Sequence, residues 1–281
     1  MIHMKSLQEL VDQKIKITSL GVPAKLINTS ELPNHIKPKQ VRDEIPTLNQ
    51  YGYMKSELEY FSNSFIERSK NASKPVLEIG TAYGWLTHKV LETGATIVAA
   101  DISKEHLEVL VKDAPQEYLN SLYIKKGMFP VEMDFEVNSF DTVMASRILH
   151  FLNGNDLEKG LDKIYDWLVL GGQLIATNCS IYHSSVKTKM HQVFQERIAN
   201  NEPWPGLVYK EEGIDKVHDK YSASFVHVFY KEQLEELLPK HGFKIEKINY
   251  FDYPSDPWPD EGKGHIGFIA TKVEKKKSEI D

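Results

Sequence analysis

Val76-Leu77-Glu78-Ile79 is a short apolar run behind Pro75. Gly80 and Gly84 break it, and Trp85, Leu86, Val90 and Leu91 then recur at helical spacing. Such a pattern reads as a buried strand, a glycine-bearing turn and a helix. The glycines allow a ligand to approach the main chain, and the start of the helix is expected to offer backbone N–H groups to it. Glu78 falls at the carboxyl end of the strand, the end at which open α/β sheets bind ligands. A dinucleotide fingerprint starting at Gly80 would need glycine at positions 82 and 85. Ala82 and Trp85 stand there instead.

The spacing that does fit is acidic-x-Gly-x-x-x-Gly, carried by Glu78, Gly80 and Gly84. It resembles motif I of the class I S-adenosylmethionine-dependent methyltransferases, with Ala82 where that family often has a third glycine. The resemblance implies an α/β, Rossmann-like fold. Its sheet would be seven-stranded and mostly parallel, with helices on both faces and strand order 3-2-1-4-5-7-6. It also implies S-adenosyl-L-methionine as cofactor, with S-adenosyl-L-homocysteine as product, bound in part by Glu78, Gly80, Thr81, Ala82 and Gly84.

The next apolar run, residues 95–100, ends in Asp101, 21 positions after Gly80. A carboxylate at the end of the second strand can accept hydrogen bonds from both ribose hydroxyls. The plainer alternative is that Asp101 and Ser103 cap the helix that follows. Beside motif I the ribose role is favoured, and Ile102 would then pack on the adenine. Residues 122–124 form a third strand, closing at Met128 and Phe129. Family members often place an acidic residue near Met128, and this chain has none there. Either Met128 and Phe129 hold the ring by apolar contact, or a main-chain N–H reads it. The fourth strand, 140–145, leads into Ser146, Arg147 and His150. Its Leu149-His150 pair is similar to one common in small-molecule methyltransferases. Ser146 and Arg147 would lie near the methionine part of the cofactor. His150 is the candidate base, its alternative being a structural histidine that ties the loop down.

A helix face follows over Leu157–Leu168, ended by Gly171-Gly172, and then a fifth strand over 173–177. Asn178-Cys179-Ser180 differs from the cysteine pair of cytosine-methylating RNA enzymes, since the chain has no second cysteine. The Asn/Asp-Pro-Pro-aromatic signature of adenine amino methylation is also missing. Cys179 reads as a small buried residue. Residues 181–230 form an expected substrate-side insertion, with a helix over Val186–Ile198 and a polar loop over 207–221 that carries Tyr209, His218 and Tyr221. A helix over 229–238, a strand over 243–248, a rigid loop with Pro254, Pro257, Trp258 and Pro259, and a last strand over 264–273 complete the pattern. The resemblance sets that last strand antiparallel between the fifth and sixth.

Before motif I, residues 1–54 read as an irregular arm with a leading helix at Leu7–Ile15, serving either as a lid or as a frayed extension. The methyltransferase domain is expected over 55–275, opening on a helix at Lys55–Arg68, and residues 276–281 as a solvated tail. Tyr51 and Tyr53, just ahead of that helix, are expected to serve mainly in packing, the alternative being that one reaches the cofactor, as a residue before the first strand can in similar methyltransferases.

The chain has 281 residues, a net charge of −6 and one cysteine. The acidic balance gives no nucleic-acid footprint. A single cysteine excludes an internal disulfide and a Cys-rich zinc site, and the 11 histidines show no H-x-x-x-H pair, so no metal is expected. No apolar run approaches the roughly 18 residues of a membrane span. The start lacks the apolar core of a signal peptide, and a cytoplasmic location is expected. Oligomeric state is not legible.

Together these readings point to transfer of a methyl group to an O or N nucleophile of a small molecule. Two alternatives stay open: a catalytically inactive S-adenosylmethionine-binding regulatory protein, and a methyltransferase acting on a protein side chain.

Overall fold

The computed structural model describes residues 19–40, 44–183, 186, 189–209, 224–254 and 260–275. The expected leading helix at 7–15, His218, Tyr221, Pro257, Trp258, Pro259 and the tail at 276–281 lie outside the described residues.

The strands are β1 (Val22–Pro23), β2 (Glu44–Pro46), β3 (Tyr53–Lys55), β4 (Val76–Ile79), β5 (Ile97–Asp101), β6 (Leu122–Lys126), β7 (Phe140–Ser146), β8 (Leu168–Cys179), β9 (Leu207–Tyr209), β10 (Phe225–His227), β11 (Phe243–Phe251) and β12 (His265–Lys272). The helices are α1 (Tyr60–Ser69), α2 (Trp85–Leu91), α3 (Lys104–Asp113), α4 (Gly154–Trp167), α5 (Lys189–Ala199) and α6 (Lys231–Lys240). The main sheet runs β1-β6-β5-β4-β7-β8-β12-β11. Its last seven strands have the order expected from the resemblance, and β12 lies antiparallel to both β8 and β11. The correction is β1, which adds an eighth strand antiparallel to β6 at the outer edge.

Strands buried on both faces need apolar residues at successive positions, and alternate side chains go to opposite sides. Leu77, Ile79, Val98 and Val143 point to the face covered by α4 and α6. Val76, Ile97, Ala99 and Met144 point to the face covered by α1, α2 and α3. Among the described residues no helix is long and apolar enough to cross a membrane.

Four boundaries differ from expectation. The first helix begins at Tyr60 rather than Lys55, because the Glu59 side chain accepts from the N–H groups of Phe61 and Ser62 and so starts it there. Residues 53–55 pair instead with 44–46 as a hairpin, which straddles the expected domain boundary. The helix before β8 stops at Trp167, and β8 passes through Gly171-Gly172, so the glycines bend a strand and do not end the helix. In the insertion, Leu207–Tyr209 pairs with Phe225–His227 where a polar loop is expected. Three-residue strands are too short to show a period.

The described part of the arm is packed. Ala24, Ile27 and Leu32 join the cluster around α3, His35 meets the Glu108 carboxylate at 2.7 Å, and Lys37 meets Asp113 at 2.7 Å.

Candidate functional site

The carboxyl ends of β4, β5 and β7 open on a cavity of about 440 Å³, roofed by the β2–β3 hairpin. Of the expected site residues, Glu78, Gly80, Thr81, Ala82, Asp101, Ile102, Met128, Phe129, Ser146, Arg147 and His150 all line it. Gly84 does not. It caps α2 in a left-handed conformation, and a Cβ there would stand 2.3 Å from Leu110 Cγ. Its glycine is required by packing against α3.

The turn after β4 is held from within. The N–H groups of Gly80 and Thr81 donate to Ala100 O at 2.7 and 3.2 Å, and that of Ala82 donates to Asp101 Oδ2 at 2.9 Å. These three N–H groups of the turn are therefore engaged by β5. Gly80 and Ala82 both have positive φ, 77° and 45°. Gly80 also lies so close to Ile148 that a Cβ would sit 2.0 Å from its Cδ1.

Asp101 serves the second role considered for it, at the start of α3. Oδ1 accepts from Ser103 N at 2.8 Å and faces His106 Nδ1 at 3.1 Å, while Ser103 itself caps α3. His106 Nε2 accepts from Leu48 N at 3.0 Å, which places the ring proton on Nδ1, donating to Asp101. Each carboxylate oxygen can accept more than one bond, so Asp101 keeps acceptor capacity toward the cavity.

Glu78 is buried at the rim, with Thr87 Oγ1 donating to it at 2.5 Å. Burial pushes its carboxyl up to about 8, against the Thr87 bond and with the help of nearby Asp101. The Thr81 hydroxyl is also buried and has no hydrogen-bond partner among the described residues. A buried acid and an orphaned hydroxyl at one turn suit a ligand with both cationic and acceptor groups.

Met128 and Ile102 are partly exposed and face the cavity, whereas Phe129 is largely buried, edge-on to Trp167 at 6.1 Å. The Met128 N–H donates to Glu132 Oε2 at 2.9 Å, so that N–H is not free to read a ring. Four positions in sequence separate this acidic residue from Met128, and the turn folds it back.

Ser146 Oγ lies 3.2 Å from Thr177 Oγ1. Arg147 has φ 59° and donates from Nη1 to Tyr53 O at 3.2 Å. His150 is buried, and its Nδ1 has no hydrogen-bond partner among the described residues. Burial, then the positive Arg147 and the His183 and His227 rings, hold its imidazole well below the usual histidine range. It is neutral near pH 7 and can accept a proton, but only as a weak base.

Sequence reasoning missed the reach of the hairpin. Tyr51 and Tyr53 line the cavity along with Thr47, Asn49 and Lys55. Lys55 is buried against Glu44 at 3.0 Å, with its ammonium 4.9 Å from the Tyr253 ring centroid. From the described part of the insertion, Phe225 alone lines the cavity.

A methyltransferase domain family matches residues 76–172. Phosphoethanolamine N-methyltransferase 1 of Triticum aestivum is 27% identical over 118 residues, which are 42% of this chain and 24% of that one. The chain thus spans about a quarter of that relative's length. An uncharacterized methyltransferase of Anoxybacillus flavithermus is 26% identical over 197 residues, 70% of this chain and 80% of that one. Among solved structures, an S-adenosylmethionine dependent methyltransferase from Mesorhizobium loti superposes with TM-score 0.54 at 13% identity, over 75% of this chain and 95% of that one. The 1,6-didemethyltoxoflavin-N1-methyltransferase of Burkholderia thailandensis gives TM-score 0.52 at 18% identity, over 76% and 77%. Residues 76–172 thus match a methyltransferase domain, and the fold is that of solved S-adenosylmethionine-dependent methyltransferases.

Proposed function

We propose that the protein binds S-adenosyl-L-methionine in the cavity at β4, β5 and β7 and transfers its methyl group to an O or N nucleophile of a small molecule. The observation that carries this reading is the pair Glu78 and Asp101. Two buried carboxylates flank one glycine turn, and Glu78 is held protonated near neutral pH chiefly by burial, with Asp101 adding to the effect. A cation brought beside it restores the carboxylate, so the site favours a ligand with positive charge. Asp101 would accept from ribose hydroxyls, and Ile102 and Met128 would cover the adenine. Thr81 would donate its hydroxyl to the methionine end. The cofactor supplies an electrophilic methyl on a positive sulfur.

The chain's own task is to align the acceptor and keep water out. The hairpin with Tyr51 and Tyr53 lines the cavity, and Arg147 and His106 anchor it through Tyr53 O and Leu48 N–H. His150 lines the same cavity, where a neutral imidazole can orient an acceptor hydroxyl or amine and take a proton late in the transfer. A weak base suits a nucleophile that attacks before it loses its proton, such as a neutral amine. The toxoflavin and phosphoethanolamine relatives are named as N-methyltransferases, which accords with that preference.

Calorimetry with S-adenosyl-L-methionine and S-adenosyl-L-homocysteine tests the cofactor reading. Micromolar binding of both is expected, and no heat from either would overturn it. Release of S-adenosyl-L-homocysteine in the presence of small amines or hydroxyl compounds tests the transfer.

A further inference from the structure

Outside the cavity, three metal-ligand side chains converge where β8 ends. Cys179 closes β8, His265 opens β12, and the two residues are direct partners across the antiparallel ladder. That register puts side chains on one face, with Cβ atoms about 4.5–5.5 Å apart. Beyond Cys179 the chain turns at once. His183 N–H donates to Ser180 O at 3.1 Å, while Ser180 N–H donates to Gly264 O at 3.0 Å, pinning the turn to the approach of β12. The turn brings His183 back over the pair, and the His183 and His265 rings lie 4.8 Å apart at 88°. One ligand atom from each of Cys179, His183 and His265 lies within 4.8 Å of the other two.

From this geometry we infer that Cys179, His183 and His265 form a zinc site. A thiolate and two imidazoles are the donor set that zinc takes, whereas magnesium and calcium take oxygen. Bonds of about 2.3 Å to sulfur and about 2.1 Å to nitrogen place tetrahedral donors about 3.6 Å apart. Closing from the present spacing therefore needs about 1 Å of movement. His183, on a partly exposed turn, can supply it, while Cys179 and His265 are fixed by the ladder. Three protein ligands leave the fourth tetrahedral position for water or another ligand. Arg147 and Lys55 direct positive charge at His265 and work against a dication. The Cys179 thiolate is the group that offsets them, so the site depends on it. The competing explanation is an aromatic box without metal, since His265 also packs edge-on against Tyr253 at 4.8 Å.

Cobalt(II), a spectroscopic stand-in for zinc, decides between them when titrated into the chelator-treated full chain. One equivalent should raise a thiolate-to-cobalt charge-transfer band that zinc then removes. Cys179→Ser should abolish the band, and His183→Ala should weaken cobalt affinity at least tenfold. If Cys179→Ser does not fold, His183→Ala carries the test alone, because its turn is partly exposed. No band at stoichiometric cobalt, or wild-type affinity in His183→Ala, overturns the site. The readout needs no methyl transfer, so it stands or falls apart from the cofactor reading.

Discussion

Arg147, at the end of β7, donates a hydrogen bond to the carbonyl of Tyr53 in the β2–β3 hairpin at 3.2 Å, from a backbone that is itself left-handed. A non-glycine residue holds that conformation only where its surroundings demand it. The side chain therefore links the floor of the cavity to its roof. A hydrogen bond from a charged donor is worth about 1.5–3 kcal/mol. Arg147→Ala should free the hairpin and weaken S-adenosyl-L-methionine binding about tenfold or more, with proteolysis between residues 44 and 55 accelerated. Calorimetry beside limited proteolysis measures both, and an unchanged cleavage rate would contradict the link.

Asp101 ties Ala82, Ser103 and His106 together, so its removal loosens the turn as well as losing the proposed ribose acceptor. Asp101→Ala should weaken cofactor binding at least tenfold, about 1.4 kcal/mol. A dissociation constant equal to wild type would defeat the ribose assignment.

Glu78 titrates at about 8 in the folded chain against 4.5 in its ordinary state. Between those values the folded protein holds a proton that the unfolded chain has released. Stability of the ligand-free protein therefore falls as pH rises through this window, by up to about 1.4 kcal/mol per pH unit. Glu78→Gln should flatten the profile, and thermal melts from pH 5 to 8 compare the two. Cofactor affinity should move the opposite way in wild type, strengthening toward pH 8 as the carboxylate forms beside a cation. Identical pH slopes for wild type and Glu78→Gln would remove Glu78 from both roles.

Gly84 separates packing from binding. Gly84→Ala forces a side chain into φ 79° and against Leu110. It should lower stability by at least about 1–2 kcal/mol. Denaturant unfolding gives the number, and a neutral substitution would show that α3 yields more easily than its packing indicates.

His150 should leave no inflection near pH 6.5 in the rate profile, because burial and Arg147 keep its ring neutral there. His150→Ala is expected to lower turnover by about 10² if the ring takes the acceptor's proton. A turnover unchanged in His150→Ala would make it a packing residue.

The parallel centre of the fold was legible because its strands are buried on both faces and write themselves as continuous apolar runs. Glu78 and Asp101 were legible because strand ends fix where their carboxylates emerge. The hairpin roof was not, since Glu44–Pro46 and Tyr53–Lys55 are three residues each and are held by distant partners such as His106 and Arg147. The same limit hid the convergence of Cys179, His183 and His265. Cross-strand register brings Cys179 and His265 together over a long stretch of chain, and no local spacing records it. Gly84 is ambiguous for a different reason. Its glycine is demanded by a neighbouring helix, which in sequence looks the same as a demand made by a ligand.

The added strand β1 has a consequence for how the molecule behaves in company. It occupies the flank of the sheet beside β6 with only two residues, the second of them Pro23, which has no N–H to offer. A short, donor-poor border of this kind gives another chain little to pair with. Deleting it would leave β6 as the outermost strand, and self-association through that bared margin is what such a truncation should produce.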